Sequence, residues 1–237
     1  MNVNLVSCIF ILDSEKNINI RKNDIKNIKI ILDSKNNLPS IKFNSKDIKS
    51  EIKKNVKNII GSNIFHLEQV FTMDYKNNID IIYLAVTNIE NVKKMKKDYK
   101  LVNFSIINNT KIILDNVQYN YKTIEKLENN NIEYIHKIET NNDDLEKNLL
   151  EILICYKKIR SNIDNTDILF KFMGSSFSLE DVRIVYELIK DTSVDKSNFR
   201  KKIMKYCEKT NIQEKDKNGF RPSQKYKFKP LKGDTWI

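Results

Sequence analysis

The chain has 237 residues, of which 42 are Lys or Arg and 31 Asp or Glu, giving a formal net charge of +11, and 40% are hydrophobic. That length allows one large domain or two small ones, and the balance of apolar and charged residues excludes wholesale disorder. No apolar run approaches the ~18–20 residues of a membrane span, so the positive surplus points to an acidic partner in water. Residues 3–12 are apolar on both faces from Leu5 onward, as a buried central strand would be. The run lacks a basic leader and a small-residue cleavage site and stops at Asp13, so it is not read as a signal peptide. Residues 28–32 form a second β-rich run. Residues 44–60 read as a helix with a stripe of Ile48, Ile52, Val56, Ile59 and Ile60, stopped by Gly61. Strands are expected at 67–73 and 79–86 around a polar turn at 74–78, then shorter ones at 101–106 and 111–114. A helix is expected over 121–130, and a long one over 143–160 carrying Leu145, Leu149, Ile152, Leu153 and Tyr156. Strands around a central helix imply an α/β domain over residues 1–160.

Residues 161–165 read as a linker, and the rest, 161–237, as a second domain beginning with a helix over 166–173. Ser178 is placed to cap the next helix, with Glu180 and Asp181 in its first turn and Val182, Val185, Tyr186 and Ile189 on its apolar face. A turn at 191–194 leads to Asp195, which caps a basic helix. Phe199, Ile203, Tyr206 and Cys207 project to one side of it, whereas Ser197, Lys201 and Lys205 point away with Asn198, Arg200 and Lys202 on the flanks. Asn218-Gly219 followed by alternating Tyr226 and Phe228 reads as a hairpin, a wing decorated by Lys215, Lys217, Arg221, Lys225 and Lys227. Residues 196–237 hold 13 basic and 4 acidic residues, whereas 141–195 hold 7 and 11. Helix, turn, basic helix and wing form a DNA-reading unit, with Lys196, Ser197, Asn198, Arg200, Lys201, Lys205, Lys217, Arg221 and Lys225 as its contacts. Such a surface offers hydrogen bonds to base edges and cations to phosphates.

The phrases FSLEDVRIVYELI, DKSNFRKKI and FRPSQKYKF resemble, in that order, the C-terminal winged helix of the NrtR family, Nudix-related transcriptional regulators of NAD metabolism. Ser197 departs from the family, which usually has Arg there. The upstream segment LEQVFTMDYKNNIDIIYLAV is similar to the Nudix-like N-terminal domain of the same family. The resemblance implies a Nudix-like α/β/α sandwich with a mixed sheet, then a winged helix-turn-helix. It also implies a homodimer that binds double-stranded DNA, with ADP-ribose or a related NAD metabolite as effector.

A working Nudix hydrolase holds divalent metal with carboxylates on one helix face. Aligned on Gly61, the motif spans residues 40–62. Ser40 then stands at the first Gly position, Lys46 at the first Glu, Lys54 at the Arg, and Asn55, Asn58 and Ile59 at the remaining Glu positions. Asp47 and Glu51 fall off the required positions. No metal, cofactor or catalytic residue is therefore expected. Lys46, Lys54 and Lys57 can be read either as cations facing a diphosphate or as solvated helix lysines.

The three cysteines, Cys8, Cys155 and Cys207, lie far apart in sequence without metal-ligand spacing and read as small apolar residues in a reducing cytoplasm. His66 and His136 are isolated and carry no assigned role. The reading is a cytoplasmic DNA-binding regulator, a repressor, with an inactive Nudix-like sensor. Two rivals stand: a divergent Nudix hydrolase of the ADP-ribose pyrophosphatase type, and a winged-helix module that docks protein or RNA.

Overall fold

The structure is a computed structural model that describes residues 2–15, 25–64, 66–128, 131–214 and 223–230. The first strand, β1 (Asn2–Glu15), pairs antiparallel with β2 (Ile25–Asp33) and with the short β3 (Ser40–Lys42). Helix α1 (Ile48–Ile60) follows, then the hairpin of β4 (His66–Tyr75) and β5 (Asn78–Asn88). Lys76 and Asn77 turn that hairpin with φ of 46° and 64°, the left-handed pair that a two-residue turn requires. β5 runs parallel to β1, so the sheet is mixed. β6 (Tyr99–Ile107), β7 (Lys111–Leu114), β8 (Val117–Glu128) and β9 (Asn131–Ile138) extend it by antiparallel pairing. Among the described residues the sheet has nine strands, in the order β4-β5-β1-β2-β6-β7-β8-β9 with β3 also on β1.

Period-two alternation in the central strands decides which helix covers which face. In β1, Leu5, Ile9 and Ile11 point to the side on which Ile52, Val56, Ile59 and Ile60 of α1 pack. Val6, Cys8, Phe10 and Leu12 point to the other, covered by Leu149, Ile152, Leu153 and Tyr156 of α2 (Asp143–Asn162). The result is an α/β/α sandwich, with both faces of the central strands dry as their continuous apolar run required. The α2 side is also pinned by charge. Lys147 Nζ lies 2.8 Å from Asp80 and 2.7 Å from Glu151, and both carboxylates are buried. Cys8 and Cys155 are buried free thiols in that same core, while the free Cys207 is partly exposed.

In the sandwich two helix expectations need correction. Of the residues 121–130 expected to be helical, 121–128 are strand: they belong to β8 and pair residue by residue with β9, and 129–130 lie outside the described residues. Tyr121, Ile124 and Leu127 are spaced as if on a helix, but only Tyr121 is buried, and Ile124 and Leu127 are exposed. Cross-strand pairing with an unforeseen partner strand overrides so thin a stripe. The α1 helix also begins at Ile48 rather than at residue 44. Asp47 has extended backbone and accepts the Ser50 N–H, a cap that fixes the start. At its other end Gly61 has φ of 73°, and a Cβ there would stand 2.8 Å from the Lys94 nitrogen, so only glycine fits.

Beyond α2 the chain forms α3 (Ile168–Lys171), α4 (Leu179–Lys190), α5 (Lys196–Met204) and a two-stranded antiparallel pair, β10 (Cys207–Glu214) and β11 (Ser223–Phe228). α3 is shorter than the 166–173 expected. Thr166 accepts the Ile168 N–H and bonds back to the Asn162 carbonyl, local bonds that compete with helix at its start. Phe172 and Met173 are nevertheless buried. The apolar core runs without a break from the α2 face of the sheet into α3, α4, Phe199, Ile203 and Tyr226. No helix among the described residues is long and apolar enough to cross a membrane.

Candidate nucleic-acid interface

Helices α4 and α5 owe their ends to short polar side chains. Ser178 and Asp181 form a reciprocal capping box, Ser178 Oγ accepting the Asp181 N–H at 3.0 Å and Asp181 accepting the Ser178 N–H at 3.1 Å. Asp191 ends α4 in the left-handed region at φ 52°, and Asp195 caps α5 by accepting the Asn198 N–H at 2.8 Å. The connecting turn is held by Glu187, which accepts the Val194 N–H and is paired with Arg183.

The inward side of α5 is Phe199 and Ile203, 7% and 6% exposed, with the Phe199 ring 5.2 Å from that of Tyr186. Tyr206 and Cys207 were expected to continue this face on the same helix. They do not: α5 ends at Met204, Tyr206 sits in the turn and Cys207 opens β10. Tyr206 still packs inward, 6.3 Å from the Phe170 ring.

Lys196, Ser197, Asn198, Arg200, Lys201, Lys202 and Lys205 are all exposed. Lys196 lies 3.6 Å from Glu180, and Lys202 lies 2.8 Å from Asp164. Arg200 and Lys201 make no ion pair among the described residues, which leaves two cations open at the middle of the helix. Asp164 is the clamp that orients this element. It pairs with Lys190 of α4 at 2.6 Å, with Lys202 of α5, and accepts the Tyr186 hydroxyl at 2.9 Å. Burial works against its ionisation, but the hydrogen bonds from Lys190, Lys202 and Tyr186 outweigh it and hold the carboxyl down at about 2.

The hairpin is attached through Phe177, whose backbone exchanges two hydrogen bonds with Tyr226, at 2.9 and 2.8 Å. Phe228 stacks on Phe170 at 4.4 Å. Lys225 is mostly buried and lies 3.7 Å from Asp181, beside the first turn of α4, while the exposed Lys227 lies 3.4 Å from Glu208 across the pair. The expected wing cations Lys215, Lys217 and Arg221, with the Asn218-Gly219 turn, lie outside the described residues.

The α1 positions are scattered rather than convergent. Ser40 is exposed on β3, and Lys46, Lys54 and Asn58 are exposed, whereas Ile59 is buried in the α1-side core. Asp47 is the helix cap, so its carboxylate is already engaged. Buried atoms of Glu51 and Asn55, one turn apart on α1, have no hydrogen-bond partner among the described residues. No group of three or more His, Cys, Asp or Glu side chains there is arranged to hold a metal ion.

Residues 169–228 match the family described as the NrtR DNA-binding winged helix domain. Three solved structures resemble nearly the whole chain. A MutT/nudix family protein from Enterococcus faecalis matches with a TM-score of 0.66 at 17% identity, over 97% of this chain and 88% of that one. Shewanella oneidensis NrtR complexed with a 27mer DNA matches with a TM-score of 0.65 at 12% identity, over 96% and 93%. The same protein without that DNA matches with a TM-score of 0.65 at 10% identity, over 97% and 94%. No curated protein matches the sequence. At such identities the likeness establishes the fold alone: a Nudix-like α/β/α sandwich followed by a winged helix, the latter matching the NrtR DNA-binding winged helix domain over residues 169–228.

Proposed function

We propose that this chain is a sequence-specific transcriptional regulator, a cytoplasmic homodimer that represses by binding double-stranded DNA through residues 161–237. The observation that carries the reading is the row of exposed Lys196, Ser197, Asn198, Arg200, Lys201 and Lys205 on a helix anchored from behind by Phe199 and Ile203. Small polar and cationic side chains on such a helix suit base edges and phosphates in a major groove, and two copies are needed to read two half-sites. Residues 1–160 act as a sensor for ADP-ribose or a related NAD metabolite. The effector favours one dimer geometry over another and so changes the spacing of the two reading helices. The α1 side is the place for it, where Glu51 and Asn55 keep unpartnered polar atoms beneath exposed lysines. Lacking a carboxylate set at the metal positions, this domain is a sensor and not a hydrolase.

The test is titration of the full chain with the duplex upstream of its own gene and with random duplex, at two salt concentrations. Preference for the native duplex, with affinity falling steeply as salt rises, supports the reading. Equal, salt-insensitive binding would instead favour docking of protein or RNA. Mg²⁺-dependent turnover of ADP-ribose, lost in Glu51→Gln, would overturn the inactive assignment.

A further inference from the structure

On the α2 side of the sheet, away from α1, a cavity of about 290 Å³ opens where β8, α2 and the end of α4 meet. Its wall brings Lys157, Arg160 and Lys190 together with Tyr121, Tyr156 and Ile106. The positive charge here is poorly compensated. Lys190 has its carboxylate in Asp164. Arg160 donates to the Asn109 side-chain oxygen and, at 2.7 Å, to the Lys190 carbonyl, and neither acceptor is an anion. Lys157 Nζ lies 3.1 Å from His136 Nε2, and His136 Nδ1 lies 3.0 Å from Thr123 Oγ1. Burial and then Lys157 push the His136 imidazole down, so the neutral ring donates to Thr123 and accepts from Lys157. Burial and then Arg160 likewise push the Lys157 ammonium down. Asp191, next to Lys190 in sequence, accepts the Asn108 N–H.

One further group is out of balance. Tyr121 is 2% exposed, yet its hydroxyl has no hydrogen-bond partner among the described residues. Its neighbour Tyr156 has one, the Ile189 carbonyl at 2.9 Å. A buried donor without an acceptor beside two like charges without a counterion is unfavourable on both counts, and oxygens of an anion relieve both. The volume is at the small end of ligand pockets, and the aromatic and aliphatic wall accepts a compact apolar part.

We infer that this cavity is a binding site for a small phosphate-bearing anion, seated between the sheet, α2 and the winged helix. It is distinct from the effector site proposed on α1 and does not depend on it. Because Arg160 also holds the Lys190 carbonyl at the end of α4, the anion touches the joint between the two units. Whatever factor the anion changes DNA affinity by, DNA changes anion affinity by the same factor.

The test is calorimetric titration of the full chain, without DNA, with inorganic pyrophosphate and orthophosphate at constant ionic strength. One saturable site is expected. Lys157→Met should weaken it about tenfold or more, as loss of a charge-assisted contact does, and Tyr121→Phe several-fold. Lys35→Met, at an exposed lysine in neither site, should leave it unchanged. Tyr121→Phe removes only an unpartnered hydroxyl, so it keeps the test decisive even where Lys157→Met disturbs folding. No saturable binding at millimolar phosphate, or binding indifferent to both variants, overturns the inference. Binding lost in Lys54→Met but kept in Lys157→Met would also overturn it, and would place the anion on α1 instead.

Discussion

Two helices of this chain, α1 and α5, look alike on a helical wheel: each has an apolar stripe and an opposite face rich in lysine. Their surroundings separate them. α1 lies along a broad sheet and buries Ile52, Val56, Ile59 and Ile60, so its lysines lie on the outer face of a sandwich layer. α5 is short, rests mainly on Phe199 and Ile203, and is framed by α4 before it and the β10–β11 pair after it. Its outer side chains Ser197, Asn198, Arg200 and Lys201 are exposed. The difference teaches that a cationic helix face says little until one knows what the opposite face is packed on.

Breaking the support of α5 gives the largest effect. Phe199→Ala should destabilise the chain by about 3–5 kcal/mol, the usual loss for a buried aromatic, read as a lowered denaturant midpoint. An α1 counterpart, Ile52→Ala, should cost about 2–5 kcal/mol, because Ile52 is fully buried. Both helices need their apolar faces, so the comparison is sharpened only by substitutions on the outer ones.

Next comes the clamp. Asp164→Asn should cost about 1–2 kcal/mol after allowance for its partial exposure, and should loosen α5 against α4. The folded-state carboxyl is held at about 2, below its ordinary 3.8. Its contribution is therefore fully present above about pH 4 and lost as pH falls through about 2. In acid titrations from pH 4 to 2, the parent should lose stability that the Asn variant has already lost. Parallel curves would show that the clamp is idle.

How much of this was legible in the sequence follows the range of the signals. Caps and turns are local, so Ser178, Asp195, Gly61 and the 74–78 turn could be read from neighbours alone. The central strand β1 could be read from its unbroken apolar run. The β8–β9 hairpin could not, because its register depends on a partner strand whose eight residues carry no strong pattern, and a three-residue spacing mimicked a helix. Tyr206 and Cys207 were misplaced because spacing alone does not tell where a helix gives way to a strand. The cavity beside Tyr121 was equally out of reach. Tyr121, Lys157 and Lys190 come from three separate elements, and His136, isolated in sequence, finds Lys157 only in the fold.

Wing substitutions should give the smallest effect. Lys217→Ala and Arg221→Ala should lower affinity for native and random duplex alike, reducing the salt slope by roughly one unit for each lost phosphate contact. A loss confined to the native duplex would instead make them readers of sequence.

The most direct measurement sets the outer faces of the two helices side by side: DNA titration at two salt concentrations, with thermal melting, for Arg200→Ala, Lys201→Ala and Lys54→Ala. All three side chains are exposed, so melting should be unchanged. Arg200→Ala and Lys201→Ala should each weaken native-promoter binding by about 1–3 kcal/mol, while Lys54→Ala binds like the parent. Parental binding by both α5 variants would contradict the assignment of α5 as the reading helix.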